Sequence, residues 1–304
     1  MSIIDINSKI EILADSISLP EGPLWDEESN SLLFTDIINN KVLSWNEKDG
    51  VKDYISPSGN TGYAPNSGEA LVGANALNFD AKGNLILCQM GDRRVSIIKN
   101  SPTSKPNFET LIDNYNGKRL NSPNDIIISS DGFYYFSDPA FGFLNLDTFK
   151  FVESDLREID FHGIYRFNPI NKELSLVTDK VSVPNGLALS LDEKFLFIKK
   201  MGVLDESPKV LKLNLENKEI GTLFDGKKIS EEYGGDLEGI KVHSSGNIFF
   251  SGGGGILVIN PDGKLMARIN FGNATNCAFD NEEQYLYVTG HLDNPRVFRF
   301  KLKN

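Results

Sequence analysis

The residues best suited to chemistry in this sequence are carboxylate and amide side chains that each precede a short apolar stretch. Two are glutamates and three are asparagines: Glu21, Asn75, Asn124, Asn185 and Glu238. Calcium and other hard divalent ions prefer carboxylate and amide oxygens, whereas zinc and copper favour histidine and cysteine, which these positions lack. Two carboxylates would also offset the charge of a divalent ion that is costly to bury unpaired. The pattern therefore predicts a site for calcium or another hard divalent ion if these side chains meet in the fold.

The segment "SPNDIIISSDGFYYFSDPAFG", Ser122 to Gly142, shows how such side chains can meet. An isoleucine stretch, a Ser-Ser-Asp-Gly turn and an aromatic stretch predict a strand, a tight reversal and a second strand. The start of the first strand lies beside the end of the second in an antiparallel pair, so Asn124 and Asp138 should share one rim. Asp36 ends the corresponding strand after Glu21, and it is expected to add further acid at that rim.

The same hairpin recurs six times along the chain. The copies begin at Glu21, Asn75, Asn124, Asn185, Glu238 and Thr275. Their starts lie roughly 40 to 60 residues apart, which leaves room for two further strands in each unit. With almost no helical periodicity, this predicts an all-β fold: a six-bladed β-propeller with four-stranded antiparallel blades, formed as a single domain by residues 1–304. The leading residues are then expected to converge at one mouth of the central channel.

Composition argues against several classes of partner. The chain has 304 residues, of which 40% are hydrophobic and 24% charged, as in an ordinary globular protein. Its net charge of −11 argues against a nucleic-acid partner, which would need a basic surface. No stretch approaches the roughly 20 apolar residues of a membrane span, and no basic and apolar leader opens the chain. We therefore expect a cytoplasmic protein with no membrane partner, in which Cys88 and Cys277 are buried thiols.

Five motifs resemble the SMP-30/gluconolactonase/LRE family of regucalcin-like propellers: "PEGPLW", "SPNDI", "YFSDPAFG", "PNGLALS" and "TNCAF". They follow the family's order over nearly the whole chain. The resemblance implies a six-bladed propeller with one catalytic divalent ion, usually calcium, bound by Glu21, Asn124, Asn185 and an acid of the fifth blade. In the family that acid is an aspartate followed by glycine, and it also acts as catalytic acid or base. The matching position is Glu238 in "LEGI", and Asp236 is the alternative.

Substrate contacts are also suggested by resemblance. The segment "CQMGDRRV", which contains Arg93, is similar to "CEHGNRRV" of the bacterial gluconolactonase branch, and Asn75 falls where the family has a substrate-contacting asparagine. Gly73 stands where the animal branch has an arginine, so the sugar contacts of that branch do not carry over as a set. His291 is expected either to approach the rim as a proton carrier or to lie in a surface loop. Lys199 is either a rim charge that pairs with an aspartate or a substrate contact.

The resemblance implies hydrolysis of a sugar lactone such as gluconolactone. A divalent cation, calcium or alternatively Mg²⁺, Mn²⁺ or Zn²⁺, polarises the lactone carbonyl and makes bound water more acidic, and a carboxylate directs that water onto the ester carbon. We expect Glu238 to be both metal ligand and general base, with Asp138 or Asp236 in reserve. The expected partner is a small-molecule lactone, and the protein is expected to be a monomer or homodimer.

Two other functions fit the same residues. One is a phosphotriesterase-like hydrolase that acts on organophosphates with the same metal cage, which would need a wider and more apolar rim. The other is a non-enzymatic binding propeller, which is favoured if Glu238 does not reach the ion. Propellers host many functions, so the fold does not choose among them. The rim residues that separate the first two functions are Asn75, Arg93, Arg94 and Tyr63.

Overall fold

The computed structural model describes residues 8–66, 71–99, 106–203, 206–236, 238–270, 272–290 and 295–303. Regular structure in these ranges consists of β-strands, one short α-helix (Lys227–Tyr233) and one 3₁₀ helix (Phe141–Phe143). In chain order the strands are β1 (Ile10–Asp15), β2 (Pro20–Asp26), β3 (Ser31–Asp36), β4 (Lys41–Asn46), β5 (Gly50–Ile55), β6 (Ala74–Phe79), β7 (Leu85–Gln89), β8 (Arg94–Ile98), β9 (Glu109–Ile112), β10 (Asn114–Tyr115), β11 (Lys118–Arg119), β12 (Ile126–Ile128), β13 (Tyr134–Asp138), β14 (Leu144–Asn145), β15 (Lys150–Phe151), β16 (Gly163–Phe167), β17 (Leu174–Thr178), β18 (Pro184–Leu189), β19 (Phe195–Lys200), β20 (Lys209–Asn214), β21 (Ile220–Asp225), β22 (Ile240–Val242), β23 (Ile248–Gly252), β24 (Gly255–Ile259), β25 (Leu265–Asn270), β26 (Ala274–Phe279), β27 (Tyr285–Gly290) and β28 (Arg296–Lys301).

Six four-stranded sheets contain most of these strands. Their orders are β2-β3-β4-β5, β6-β7-β8-β9, β12-β13-β16-β17, β18-β19-β20-β21, β22-β23-β24-β25 and β26-β27-β28-β1, named here blades 1 to 6. Two small hairpins, β10-β11 and β14-β15, lie outside the blades. The sheets are the antiparallel blades of a six-bladed β-propeller, which confirms the predicted fold.

The turns between the first two strands of the blades explain the repeated polar residues of the sequence. Each turn contains one residue with positive φ: Asn30 (50°), Gly83 (76°), Gly132 (84°), Glu193 (53°), Gly246 (83°) and Glu283 (51°). Polar side chains bind the backbone of the turn, as where Asp80 Oδ1 accepts the N–H groups of Lys82 and Asn84 at 2.8 and 2.9 Å. Such short side chains stabilise a tight reversal at the point where each hairpin turns back.

Blade 6 is completed by a strand from the other end of the chain. Strand β1 pairs antiparallel with β28, so that Ile10 lies opposite Phe300. Arg299 in β28 adds side-chain contacts, because its Nε donates to Glu11 at 2.8 Å and its Nη1 pairs with Glu47. Blade 6 therefore joins residues from near both ends of the described chain.

Apolar side chains fill the space between successive blades. One cluster joins blades 2 and 3 and includes Phe136 and Tyr165, whose rings stack with centroids 5.2 Å apart. A second cluster joins blades 5 and 6, and a third joins blades 4 and 5. Cys88 and Cys277 lie in the first two clusters as buried free thiols, as predicted.

Residue contacts divide the chain into two compact units. The first unit comprises Met1–Phe34, Ser44–Lys52 and Ala188–Asn304, and the second comprises Thr35–Leu43 and Asp53–Leu187. Blades 5 and 6 belong to the first unit, and blades 2 and 3 belong to the second. That residues 1–304 form one domain stays a prediction. In the described ranges, no helix is both long and apolar enough to cross a membrane.

Truncation of Phe136 to alanine should destabilise the protein by about 3–5 kcal/mol, because it removes a fully buried ring and leaves a cavity between blades 2 and 3. Urea unfolding of the variant measures this loss. Ile170→Ala is the control, since Ile170 is 90% exposed and its truncation should change stability by less than about 0.5 kcal/mol. Equal losses in the two variants would contradict the assignment of Phe136 to the core.

Candidate active site

Asn124 is one of the two predicted metal ligands in the second unit, and its hydrogen bonds differ between backbone and side chain. Its backbone N–H donates to the carbonyl of Ser137 at 2.9 Å, and its own carbonyl accepts the N–H of Ala76 at 3.0 Å. Its side chain is buried, and Oδ1 has no hydrogen-bond partner among the described residues. A buried amide oxygen without a partner costs free energy, and a hard cation is a partner that it would accept.

The neighbouring Asp125 links the start of blade 3 to blade 4. Its carboxylate accepts the N–H of Ile126 at 2.8 Å and the N–H of Leu187 at 2.7 Å. Ser137 Oγ completes the link by donating to the carbonyl of Asn185 at 2.8 Å. These bonds fix the backbone of Asn185, the second predicted ligand of this unit, whose side chain is also buried.

Asp138 lies just after Ser137 at the end of β13 and is fully buried. Its carboxylate accepts the N–H groups of Asn121 and Ser122, each at 2.8 Å. Burial raises the pKa of Asp138 to about 7, although these two hydrogen bonds and the charges of Arg93 and Arg157 oppose the rise. The carboxyl can therefore hold or release a proton near neutral pH, while it also fixes the segment that leads into Asn124.

The predicted substrate contacts of the second unit have structural partners of their own. Asn75 is buried, its carbonyl accepts Thr35 Oγ1 at 3.1 Å, and its amide nitrogen lies 3.6 Å from Met90 Sδ. Arg93 is 2% exposed, and its Nε donates to the carbonyls of Leu120 and Asn121 at 2.8 and 3.2 Å. A substrate contact by either side chain stays a prediction.

Next to Arg93, Arg94 belongs to a separate buried network. It pairs with Asp92 at 3.2 Å, donates to Gln89 at 2.7 Å and lies 3.9 Å from the centroid of the Tyr63 ring. The "GDRRV" segment therefore holds blade 2 to its flanking loops through two arginines with different partners.

In the first unit, the carboxylate of Glu21 is buried and held in place. Its Oε2 accepts the N–H of Gly22 at 2.7 Å and the amide Nδ2 of Asn276 at 2.9 Å. Thr275 Oγ1 donates to the carbonyl of Pro20 at 2.7 Å, so blade 6 also fixes the backbone beside Glu21. The sequence contained Asn276 within the "TNCAF" motif, but its partner lies 255 residues away and no local signal pointed to it.

Glu238, the predicted base, is partly exposed. Its N–H donates to Ser251 Oγ at 3.1 Å, and the N–H of Gly239 donates to the same oxygen at 2.9 Å. A Cβ at Gly239 would lie 2.0 Å from Asn276 Oδ1, so only glycine lets Asn276 pass this close. Asn276 thus binds Glu21 and packs against the residue that follows Glu238.

Asp236, the alternative acid, binds a loop instead. Both of its carboxylate oxygens accept the N–H of Gly202, at 2.9 and 2.8 Å. This pairing gives Asp236 a role in holding the loop that follows β19. The intervening Leu237 lies outside the described residues, as does His291, so a role for His291 stays a prediction.

Asp36 is likewise engaged locally, because its Oδ2 accepts Asn39 Nδ2 at 2.7 Å. Among the described residues, no group of three or more His, Cys, Asp or Glu side chains is arranged to hold a metal ion. The predicted ligand set has a different composition, with two carboxylates and two amides. Glu21 and Glu238 belong to the first unit and Asn124 and Asn185 to the second, and their binding of one ion stays a prediction.

The blades and their order define the chain as a six-bladed β-propeller. A family model described as SMP-30/Gluconolactonase/LRE-like region matches residues 19–291. The chain belongs to this family, which confirms the resemblance seen in the five sequence motifs.

Individual relatives share most of the chain. A gluconolactonase of Zymomonas mobilis subsp. mobilis is 32% identical, and the match covers 97% of this chain and 83% of that protein. The structure of a gluconolactonase from Xanthomonas campestris superposes with a TM-score of 0.82 at 26% identity, covering 99% of this chain and 92% of that one. Regucalcin of Agrobacterium tumefaciens, a calcium-binding protein, has the same fold, with a TM-score of 0.73 at 15% identity over 98% and 95% of the two chains.

The pKa of Asp138 makes stability depend on pH. An aspartate of the unfolded chain titrates near pH 4, whereas folded Asp138 titrates near pH 7. The folded protein therefore binds more protons between these values, and this contribution to stability is complete below about pH 4 and is lost as pH rises through about 7. Asp138→Asn lacks the titration, so its stability relative to the wild type should rise across that range by about 1 kcal/mol or more in urea unfolding. A difference that stays constant with pH would contradict the raised pKa.

Gly239→Ala should destabilise the protein by about 2 kcal/mol or more, because the new methyl group collides with Asn276 and pushes it away from Glu21. The matched control is Gly221→Ala, also a glycine without positive φ, where a Cβ meets nothing within 4 Å. Urea unfolding of the two variants separates the collision from a general effect of replacing glycine. Similar stability of the two variants would show that Asn276 is not closely packed on Gly239.

Proposed function

We propose that the protein is a lactone hydrolase that opens a sugar lactone such as gluconolactone and needs a divalent cation, preferably calcium. The observation that carries the lactonase activity is the match to a gluconolactonase over 97% of the chain. The gluconolactonase of Xanthomonas campestris, which aligns over 99% of the chain, supports the same conclusion.

The chemistry of the side chains supports the cation. The proposed ligands are Glu21, Asn124, Asn185 and Glu238, which offer only oxygen atoms, as calcium prefers. Asn124 Oδ1 supports the fit of these residues to a cation, since this oxygen is buried without a hydrogen-bond partner among the described residues. Regucalcin, which shares the fold, is a calcium-binding protein. The residues present therefore fit a hard divalent cation.

When bound, such a cation would polarise the lactone carbonyl and lower the pKa of water. The protein supplies the base: the Glu238 carboxylate accepts a proton from the water whose oxygen attacks the carbonyl carbon. The bond from that carbon to the ring oxygen then breaks, and the ring oxygen takes up a proton to give the hydroxy acid. Asn75 is proposed to orient the substrate through its amide.

Three acids were candidates for the base, and their surroundings favour Glu238. Asp138 is fully buried and both of its oxygens accept backbone N–H groups. Asp236 binds the N–H of Gly202 with both oxygens. Glu238 is partly exposed, and its backbone N–H donates to Ser251 Oγ at 3.1 Å, so the backbone of the residue is fixed while water can reach the residue.

Replacement of Glu238 by glutamine should lower kcat for glucono-1,5-lactone by about 10²–10⁴-fold, because the amide does not accept the proton of water. The measurement follows acid release in a weakly buffered solution, with protein stripped by a chelator and resupplied with calcium, magnesium, manganese or zinc. Asn124→Ala should retain activity only at higher cation concentration, because it removes one ligand.

Glu216→Gln is the matched control, since Glu216 is exposed in the turn between β20 and β21 and should leave kcat unchanged. A reaction without protein corrects for spontaneous opening of the lactone. Full activity in Glu238→Gln would move the base to Asp236 or Asp138. Absence of lactone turnover by the wild type with every cation would refute the proposed function.

A further inference from the structure

A cleft between blades 2 and 3 lies apart from the candidate active site. Its volume of about 490 Å³ is within the range of small-molecule sites, and its described lining residues all belong to the second unit. Asp80 and Lys82 line it from the turn between β6 and β7, and Pro169 and Lys172 line it from the turn between β16 and β17. Asp80 follows the last residue of β6, whereas Asn75 lies near its start, so the cleft is at the opposite end of that strand from the candidate site.

The ammonium groups of the cleft outnumber its carboxylates. Its charged lining consists of three lysines and two acids: Lys82, Lys99, Lys172, Asp80 and Glu109. Lys99 Nζ pairs with Glu109 at 2.5 Å. Both oxygens of Asp80 accept hydrogen bonds within their own turn, since Oδ1 binds two backbone N–H groups and Oδ2 accepts Asn84 Nδ2 at 2.8 Å. The two carboxylates therefore have partners already.

Lys82 and Lys172 are the cations that remain. Both are exposed, and neither forms an ion pair among the described residues. Lys172 Nζ lies 5.7 Å from the centroid of the Phe167 ring. Lys99 and, more weakly, Lys172 lower the pKa of Glu109, so the charge of a blade 3 lysine acts on a blade 2 carboxylate across the cleft. In a protein with a net charge of −11, this cleft has a local excess of positive charge.

The remaining lining of the cleft is largely apolar. It is formed by Ile97, Leu111, Pro169 and the ring of Tyr134. Ile97 and Tyr134 are each 5% exposed, and the Tyr134 ring packs on Phe167 with centroids 6.0 Å apart. Burial, and then the charge of Asp80, raise the pKa of Tyr134, so its hydroxyl keeps a proton that it can donate. An apolar surface beside unpaired ammonium groups suits an organic molecule with an anionic group.

We propose that this cleft binds a small organic molecule that carries a phosphate group. Lys82 and Lys172 contact the phosphate, and the apolar lining contacts the organic part. A phosphate monoester carries a charge of about −1.5 to −2 at neutral pH, which matches two ammonium groups, whereas a carboxylate matches one. Lysine binds phosphate as a point charge, so it needs no fixed planar geometry. This binding site goes beyond the proposed function and does not depend on it.

Titration calorimetry of the full chain tests the proposal with phenyl phosphate, benzoate and inorganic phosphate as probes. The buffer is held at about pH 8, where the phosphates are dianions, and contains no divalent cation that would pair with them. Phenyl phosphate should bind about tenfold more tightly than benzoate, which carries one charge less, and about fivefold more tightly than inorganic phosphate, which lacks an apolar part. Added salt should weaken its binding, because the lysines are exposed.

Substitutions locate the binding. Lys82→Gln and Lys172→Gln should each weaken phenyl phosphate binding by about fivefold or more, because each removes one charge from the site. Leu111→Ser should weaken the binding of phenyl phosphate and leave that of inorganic phosphate unchanged. Lys180→Gln is the matched control, since Lys180 is also exposed but does not line the cleft, and its affinity should stay within about twofold of the wild type. Thermal unfolding verifies that each variant is folded.

Several results would overturn the proposal. These are absence of phenyl phosphate binding by the wild type, unchanged affinity in both Lys82→Gln and Lys172→Gln, or an equal loss in Lys180→Gln. Equal affinity for phenyl phosphate and inorganic phosphate would show a site for the ion alone, and tighter binding of benzoate would show a carboxylate site. Because the titrations contain neither lactone nor divalent cation, a failure of the proposed function would leave their outcome unchanged.

Discussion

Polar residues that lead an apolar strand into the interior must find hydrogen-bond partners, because each unpaired polar atom costs about 1–3 kcal/mol. This requirement organises the surroundings of the candidate ligands. Asp125 binds the backbone of blade 4, Asn276 binds Glu21, and Ser251 binds the backbone of Glu238. The candidate ligands are thus held in place by neighbouring residues that have no predicted role in catalysis or metal binding. Asn124 Oδ1 departs from this rule, since it is buried without a hydrogen-bond partner among the described residues.

The architecture was predictable because its signals are local. A strand, a turn and a second strand fit within about fifteen residues, and six copies of that pattern predict six blades. The turn residues with positive φ fall within these copies, where Asp, Asn, Ser and Gly already marked a reversal. The predicted family followed from short motifs of the same kind, which the family model confirmed over residues 19–291.

Partners that lie far apart in sequence were not predictable. Asp125 meets a backbone group 62 residues away, and Asn276 meets Glu21 across 255 residues. No periodicity or turn signal specifies such pairs, because they depend on how whole blades pack. Arg93 illustrates the same limit. The sequence shows an arginine in this segment, but only the structure shows that its Nε donates to two backbone carbonyls. Lys199 was seen as a rim charge or a substrate contact, whereas the structure buries it completely.

The six blades repeat one backbone pattern, yet equivalent positions carry different side chains. Hydroxyl, thiol and ammonium groups all occupy the position before the last residue of the second strand. In this repeat fold the strands maintain the architecture, and the side chain at a single position can differ between blades without altering the fold.

The pairing of β1 with β28 imposes an order on biosynthesis. Strand β28 follows β1 in the chain after all the strands of blades 1 to 5, so β1 must wait until those blades have been synthesised before its partner exists. Blades 1 to 5 contain only contiguous segments of chain and can form before β28 is synthesised, whereas blade 6 is completed only when β28 is present. Two isoleucines of β1, Ile10 and Ile12, remain 38% and 53% exposed even when paired, so little apolar surface is uncovered during the wait.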